Sequence, residues 1–445
     1  MNVELVQQHV PKAILKFAVP SIIAMILTSA ISIIDGYFIG NYIGESALTA
    51  VNLGLPIIYL FLAVGIMVGV GGVSQASRLL GAKKIEQSVS VFNQTAMTGF
   101  IALLTLALLL LVSINPICSI LDVDEIVKAY FVDYYSLMIL VYPFAMLNVI
   151  LGMFVRAEGK PVISMILSVI SVVLNTTLDY LLVTHFDYGV KGIAIASIIS
   201  VMVGVLYMLS YFKLKARVFK YHQFTFSRNV ILNTFKNGSS EFIGQLSMCI
   251  TTVALNYIIM REGGVSGVAA FTVVGYSTYL FTMIVIGFGQ GSSPLISFAN
   301  GAKEHTLAKK VRNHTTMYVF ILGLLSMLAL LINADRYSLV FVDNEFVGNI
   351  VRSGIPIYSM AFLFMGTNII ASFYFTCIGN AKTSAIISGA RGLVILLACI
   401  FILPSIWGMQ GVWFIAPVTE MLTVFISFLF LFNNDKLLVT SLVQN

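Results

Sequence analysis

The chain has 445 residues, 59% of them hydrophobic and 10% charged, with a formal net charge of +6 and a mean hydropathy of +0.97. A composition this apolar leaves too little polar surface for a water-soluble domain and places the chain in a bilayer. Nucleic-acid binding would need basic residues gathered on a folded polar surface, which this composition scarcely provides.

A helix needs about 20 apolar residues to cross the hydrocarbon core. Roughly twelve segments meet that length, at 13–38, 47–78, 90–114, 128–155, 161–184, 190–212, 232–260, 267–299, 311–333, 353–379, 384–404 and 411–433. Long apolar runs such as Phe100 to Ile114 exclude the alternation of a barrel strand. The expected class is an all-α integral membrane protein.

The polar stretch from Asn2 to His9 precedes the first segment without a small-residue cleavage pattern, so the first helix is expected to remain. That segment carries Ser21, Thr28, Ser32 and Asp35 on one side. Asp35 lies near its outer end and is followed by Gly36, so spacing alone leaves open a functional carboxylate or a solvated helix end. The Gly-rich stretches Gly65 to Gly72 and Gly287 to Gly291 sit inside apolar segments, and no Gly-x-x-x-x-Gly-Lys-Ser/Thr pattern occurs. They are expected to let helices approach or bend rather than to bind ATP.

The fifth segment is the most informative. Ser164, Ser168, Ser171, Asn175 and Asp179 recur at steps of four, three, four and four among Leu, Val and Ile, which puts them on one helical face. A carboxylate near the bilayer centre costs about 2.5–3.5 kcal/mol on insertion scales and needs a compensating reason. Asn175, one turn from Asp179, can hydrogen-bond the acid or share a cation with it.

Between the sixth and seventh segments, Lys213 to Asn229 carries Lys213, Lys215, Arg217, Lys220, His222 and Arg228, a solvated basic linker. The seventh segment places Glu241, Gln245, Met248, Thr252 and Asn256 on a common face just after Asn237-Gly238-Ser239-Ser240. Glu241 is either a first-turn carboxylate behind an N-cap or a cation contact. Arg391 and Glu420, in the last two segments, are expected to pair. Cys118, Cys249, Cys377 and Cys399 show no paired spacing and read as small core residues.

The chain is a duplication. Gly81-Ala82-Lys83 recurs as Gly301-Ala302-Lys303, 220 residues on, and at that offset Tyr59-Leu60-Phe61, Gly69, Gly71, Asn148 and Gly159 match Tyr279-Leu280-Phe281, Gly289, Gly291, Asn368 and Gly379. Repeats of six helices return to the same side of the membrane and are therefore parallel. The expected organisation is a six-helix lobe over 1–220, ending in the linker, and a second over 221–445. Asp35 and Asp179 match Leu255 and Cys399, while Ser21 matches Glu241, so the halves share a scaffold and differ in charge. With both termini inside, the 25 basic residues divide 19 inside, 5 outside and 1 (Arg391) within a helix, the bias expected of cytoplasmic loops.

The chain resembles the MATE (multidrug and toxic compound extrusion) family, in its DinF-like and MepA-like prokaryotic branch, from about Lys12 to Phe432. The residues that carry this are Phe17-Ala18-Val19-Pro20, Asp35-Gly36-Tyr37-Phe38-Ile39-Gly40, Gly81-Ala82-Lys83, Arg156-Ala157-Glu158-Gly159-Lys160-Pro161, Leu174-Asn175 through Asp179, and Gly189-Val190-Lys191-Gly192. The resemblance implies two six-helix lobes in a V and efflux of organic cations driven by inward H+ or Na+. It implies a coupling-ion site at Asp35, Asn175 and Asp179, which would also ligate Na+, with Ser197 accompanying them. The NorM-like branch carries acids later in the seventh helix and in the tenth, and 353–379 here contains none.

The expected function is cation-coupled antiport of organic cations by alternating access, with Glu241, Gln245 and Met248 contacting substrate. No cofactor beyond the coupling ion is expected, and the protein is expected to act as a monomer in the inner (plasma) membrane with both termini cytoplasmic. The alternative on the same scaffold is a flippase of lipid-linked saccharide, which would line its cavity with several Arg or Lys. An enzymatic role is not expected, since His-Glu-x-x-His, Gly-x-Gly-Asp and clustered His are absent.

Overall fold

The computed structural model describes residues 7–121, 124–221, 225–341 and 345–443; His222 of the basic linker lies outside them. The first half of the chain forms α1 (Val10–Phe38), α2 (Glu45–Leu53), α3 (Leu55–Gly81), α4 (Ile85–Val112), α5 (Ile114–Leu121), α6 (Glu125–Ala157), α7 (Pro161–Tyr180) and α8 (Gly189–Leu214). The second forms α9 (Arg228–Gly301), α10 (His305–Ile332), α11 (Ala334–Phe341), α12 (Glu345–Ser359), α13 (Phe362–Ile378), α14 (Ala381–Gly389) and α15 (Ile395–Val443). π-helical turns at Ile39–Ile43, Leu181–His185 and Ala390–Val394 extend α1, α7 and α14. No strand occurs among the described residues.

Among the described residues, nine helical stretches are long and apolar enough to cross a bilayer, or ten with the pair α12 and α13, bent by 48°. Two stretches are too long for one crossing: α9 has 74 residues and Ala381–Leu437 has 57. At about 1.5 Å per residue each is more than twice the thickness of the hydrocarbon core. Each breaks at a glycine outside helical geometry, Gly264 (φ 58, ψ −158) and Gly408 (φ 55, ψ −137). Dividing there gives twelve crossings among the described residues, the number expected from the sequence.

The duplication extends to backbone geometry. Lys83 and Lys303 have φ of 61 and 62, Gly159 and Gly379 have φ of 92 and 85, and Gly44 and Gly264 have φ of 123 and 58. Each pair is separated by the repeat offset, so the turns between helices are duplicated along with the helices.

Two compact units result: Val19–Gly238, and Asn2–Ala18 with Ser239–Asn445. The division lies at 238/239 rather than at the linker boundary of 220/221, and the start of α1 belongs with the second unit. Close backbone packing explains both displacements. A Cβ on Gly71 of α3 would lie 2.0 Å from the Thr234 carbonyl oxygen, so the opening of α9 is seated on α3 within the first unit. A Cβ on Gly291 would lie 2.6 Å from Ala18 Cα, so the opening of α1 makes the repeat-equivalent contact within the second.

In the first unit, α3 packs on α4 and α6, α6 on α8, and α7 on α8. Its core holds Phe92 against Phe154, Phe212 and Phe219 at centroid distances of 5.0, 4.8 and 5.6 Å. In the second, α13 packs on α10, α14 and α15, and Phe271 stacks on Trp413 at 5.9 Å. Leu108, Leu109, Val112, Leu325, Phe425, Phe428 and Leu429 are exposed, a coat that suits lipid and not water.

Candidate functional site

The polar stripe of α7 faces inward. Ser164, Asn175 and Asp179 are buried, Ser168 and Ser171 half-buried, and Val162, Ile166, Val169, Ile170 and Val173 on the other side are exposed. Pro161 opens the helix at a position where no backbone donor is lost. Past Tyr180 the helix widens into the π turn Leu181–His185. The π turn Ile39–Ile43 follows α1 in the same way, shortly after Asp35, and the two turns touch. Such turns interrupt regular helical hydrogen bonding and occur mostly at functional positions.

Asp35, Asn175, Asp179 and Ser197 come together in the first unit, at 8%, 0%, 0% and 6% exposure. Asp35 is therefore a buried group, which removes the solvated-end reading that its sequence position left open. The Asn175 amide nitrogen donates to Ser197 Oγ on α8 at 3.4 Å. The Asp35 carboxyl group adjoins Asp179 and Asn175. Asp35 Oδ1, both Asp179 oxygens and Asn175 Oδ1 are buried without a hydrogen-bond donor among the described residues.

Two adjacent buried carboxylates cannot both be ionised in a low dielectric without compensation, since each desolvated charge costs several kcal/mol. No Lys or Arg pairs with either acid among the described residues. Shared protons or a small hard cation are the species that such an oxygen set accommodates. No group of three or more His, Cys, Asp or Glu is placed to hold a metal ion among the described residues.

Tyr134 and Tyr142 of α6 complete the surroundings. Both are buried, at 3% and 6% exposure, and both lie within coulombic reach of Asp35, Tyr134 also of Asp179. Sequence patterning alone does not single them out. Their signal is a pair of phenols spaced by about two helical turns within a membrane span. Neighbouring Tyr135 plays a different part, since its hydroxyl donates to the Val51 carbonyl at 2.6 Å and ties α6 to α2.

Glu241, Gln245 and Met248 lie in the second unit, the first two half-buried and Met248 45% exposed. The N-cap reading of Glu241 does not hold, because α9 begins at Arg228 and runs helically through 237–241. Asn237 does not cap: its amide nitrogen donates to Ser74 Oγ at 3.1 Å, and its Oδ1, the atom a cap would use, has no partner among the described residues. The expected pairing of Arg391 with Glu420 is present: Arg391 Nε donates to Glu420 Oε1 at 2.8 Å, and Nη2 lies 2.8 Å from the same oxygen in an ion pair.

A duplicated bundle of membrane helices with a buried acidic centre has the organisation of a secondary transporter. The chain belongs to the MatE family, whose pattern matches residues 20–181 and 242–401. Among curated proteins it is similar to the multidrug export protein MepA of Staphylococcus saprophyticus, with 26% identity over 90% of this chain and 89% of the relative. Among solved structures it is similar to a multidrug resistance MATE family transporter of the MOP superfamily in an outward-facing conformation, with TM-score 0.91, 22% identity and 96% of each chain covered. It is also similar to a MOP superfamily transporter from Pyrococcus furiosus, described by a binding pocket of reverse polarity that suggests a different function, with TM-score 0.90, 22% identity and 96% of each chain covered. At that identity the two structural likenesses establish the fold.

Proposed function

We propose that this chain is a multidrug efflux transporter that exports organic cations in exchange for inward H+ or Na+, by alternating access. The observation that carries the reading is the Asp35 and Asp179 pair, two buried acids with unsatisfied oxygens and no basic partner among the described residues. In the proposed cycle the coupling ion neutralises this pair, with the Asn175 amide oxygen and the Ser197 hydroxyl as further ligands if the ion is Na+. Coupling follows if ion and drug favour different conformations of the same protein. The naming of the MepA relative as a multidrug export protein supports the substrate class.

The bias of basic residues supports a plasma-membrane protein with both termini in the cytoplasm, and we propose that it acts as a monomer. The flippase reading is less well supported, since Arg391 is committed to Glu420 and offers little to a pyrophosphate. Efflux of ethidium from ATP-replete cells, with proton and sodium gradients collapsed separately, tests the proposal. Efflux should stop with one of the two gradients. Efflux that outlasts both contradicts antiport.

A further inference from the structure

The second unit contains two carboxylates and one guanidinium in unequal circumstances. Glu420 is engaged on both sides: Oε1 accepts from Arg391 Nε and forms an ion pair with its Nη2, and Oε2 accepts from the Asn368 amide at 2.8 Å. The same amide donates to the Glu420 backbone carbonyl at 2.9 Å, and Asn368 Oδ1 accepts from Ser427 Oγ at 2.9 Å. Glu420 is thus a fixed anion, its side chain 6% exposed against 27% for Arg391, and its oxygens are occupied on both sides.

Glu241 differs in every respect. It is half-buried and makes no ion pair among the described residues, yet Arg391 lies within coulombic reach of it. The helix that carries Glu241 packs directly on the π turn that carries Arg391. A Cβ on Gly389 would lie 3.6 Å from Ile243 Cγ2, and one on Gly392 would lie 3.0 Å from Ser247 Cβ. A guanidinium on a flexible stem beside two carboxylates pairs with whichever holds it better. Here Glu420, itself anchored by Asn368, holds it, and the Glu241 carboxyl group is left without an ion pair among the described residues.

We infer that Glu420 is a positioning residue that sequesters Arg391, so that Glu241 stays available to the positive charge of a transported organic cation. The inference rests on the proposed export of organic cations and adds how the second unit keeps its own arginine from occupying the place of the substrate. Without Glu420, Arg391 becomes a tethered competitor at Glu241. A merely structural Arg391–Glu420 bridge makes no such statement about ligand affinity.

The test is equilibrium binding of ethidium, followed by fluorescence polarisation, to purified protein in lipid nanodiscs without any ion gradient. Binding is thereby separated from coupling, and gradient-driven export by the unaltered protein is measured in parallel. Glu420→Gln should weaken ethidium binding on the order of tenfold or more, as expected when a competing charge reaches a partly buried partner. Removing the competitor as well, in Glu420→Gln with Arg391→Met, should restore affinity to within about threefold, since replacing both members of a buried pair is often tolerated. Glu241→Gln should weaken binding both in the unaltered protein and in the double variant, where Glu241 is open to the ligand.

Unchanged affinity in Glu420→Gln overturns the inference, as does a loss that Arg391→Met fails to reverse in protein with native-like thermal unfolding. If the unaltered chain exports ethidium under a gradient while either result is found, the export reading stands and only the sequestration falls. If the unaltered chain neither binds nor exports ethidium, both fall.

Discussion

Asn148 and Asn368, equivalent in the two repeats, make the same hydrogen bond with different consequences. The Asn148 amide donates to the Val201 carbonyl on α8 at 3.0 Å. The Asn368 amide donates to the Glu420 carbonyl on α15 at 2.9 Å and also to the Glu420 side chain at 2.8 Å. One interhelical link has been kept in both halves, and in the second it has acquired a buried ion pair.

That difference predicts unequal costs of removing the amides. Asn148→Leu loses one hydrogen bond, worth about 1 kcal/mol, whereas Asn368→Leu also strips a donor from a buried carboxylate, for roughly 2–4 kcal/mol. Thermal unfolding in detergent should therefore show the larger drop for Asn368→Leu. Equal drops would mean that Asn368 does not support Glu420.

The seating of helix openings on glycines predicts a second asymmetry. A Cβ on Gly71 or Gly291 would fall inside van der Waals contact with backbone atoms, while one on Gly275 meets nothing within 4 Å among the described residues. Gly71→Ala and Gly291→Ala should sharply reduce the yield of monodisperse protein, as overpacking costs of about 1–3 kcal/mol or more imply. Gly275→Ala should leave yield unchanged. Normal yields of all three would show that these crossings are loose.

Topology gives a third prediction. In a chain freed of its native cysteines, Lys83→Cys, Lys220→Cys and Lys303→Cys should resist an impermeant thiol reagent applied to intact cells, and Glu125→Cys should react. Glu125 is the better outer probe because Asp124 caps α6 by accepting from the Val127 amide at 2.8 Å, and its loss would cost about 1 kcal/mol. Labelling at 220 from outside contradicts the six-plus-six arrangement.

Much of this architecture is legible in the sequence because membrane burial writes long, simple patterns. The repeat offset read from Gly81-Ala82-Lys83 reappears in the φ angles of Lys83 and Lys303, and the divide expected between 260 and 267 falls on the break at Gly264. The α7 stripe identifies the inward face of Asp179 because polar residues at helical spacing stand out against Val and Ile.

Tertiary contacts hide the rest. The predicted segment 47–78 is interrupted at Gly54, where a Cβ would lie 2.0 Å from the Tyr135 ring, and no local signal marks that ring. Glu241 looks like a first-turn residue because Asn237-Gly238-Ser239-Ser240 resembles a cap. Only the contacts of Asn237 with Ser74 and of Gly238 with Met67 explain why the helix continues through it. Tyr134 and Tyr142 escape sequence reasoning because a phenol in an apolar segment reads as core until its neighbours are known.

In the proposed cycle the buried acids of the first unit carry the coupling ion. Asp179→Asn keeps the shape of a fully buried side chain and removes its titratable, cation-binding charge. In liposomes under imposed proton and sodium gradients, the purified variant should bind ethidium as the unaltered protein does and transport none of it against a concentration gradient. Asp35→Asn should behave alike. Full gradient-driven transport by Asp179→Asn would show that the coupling ion is held elsewhere.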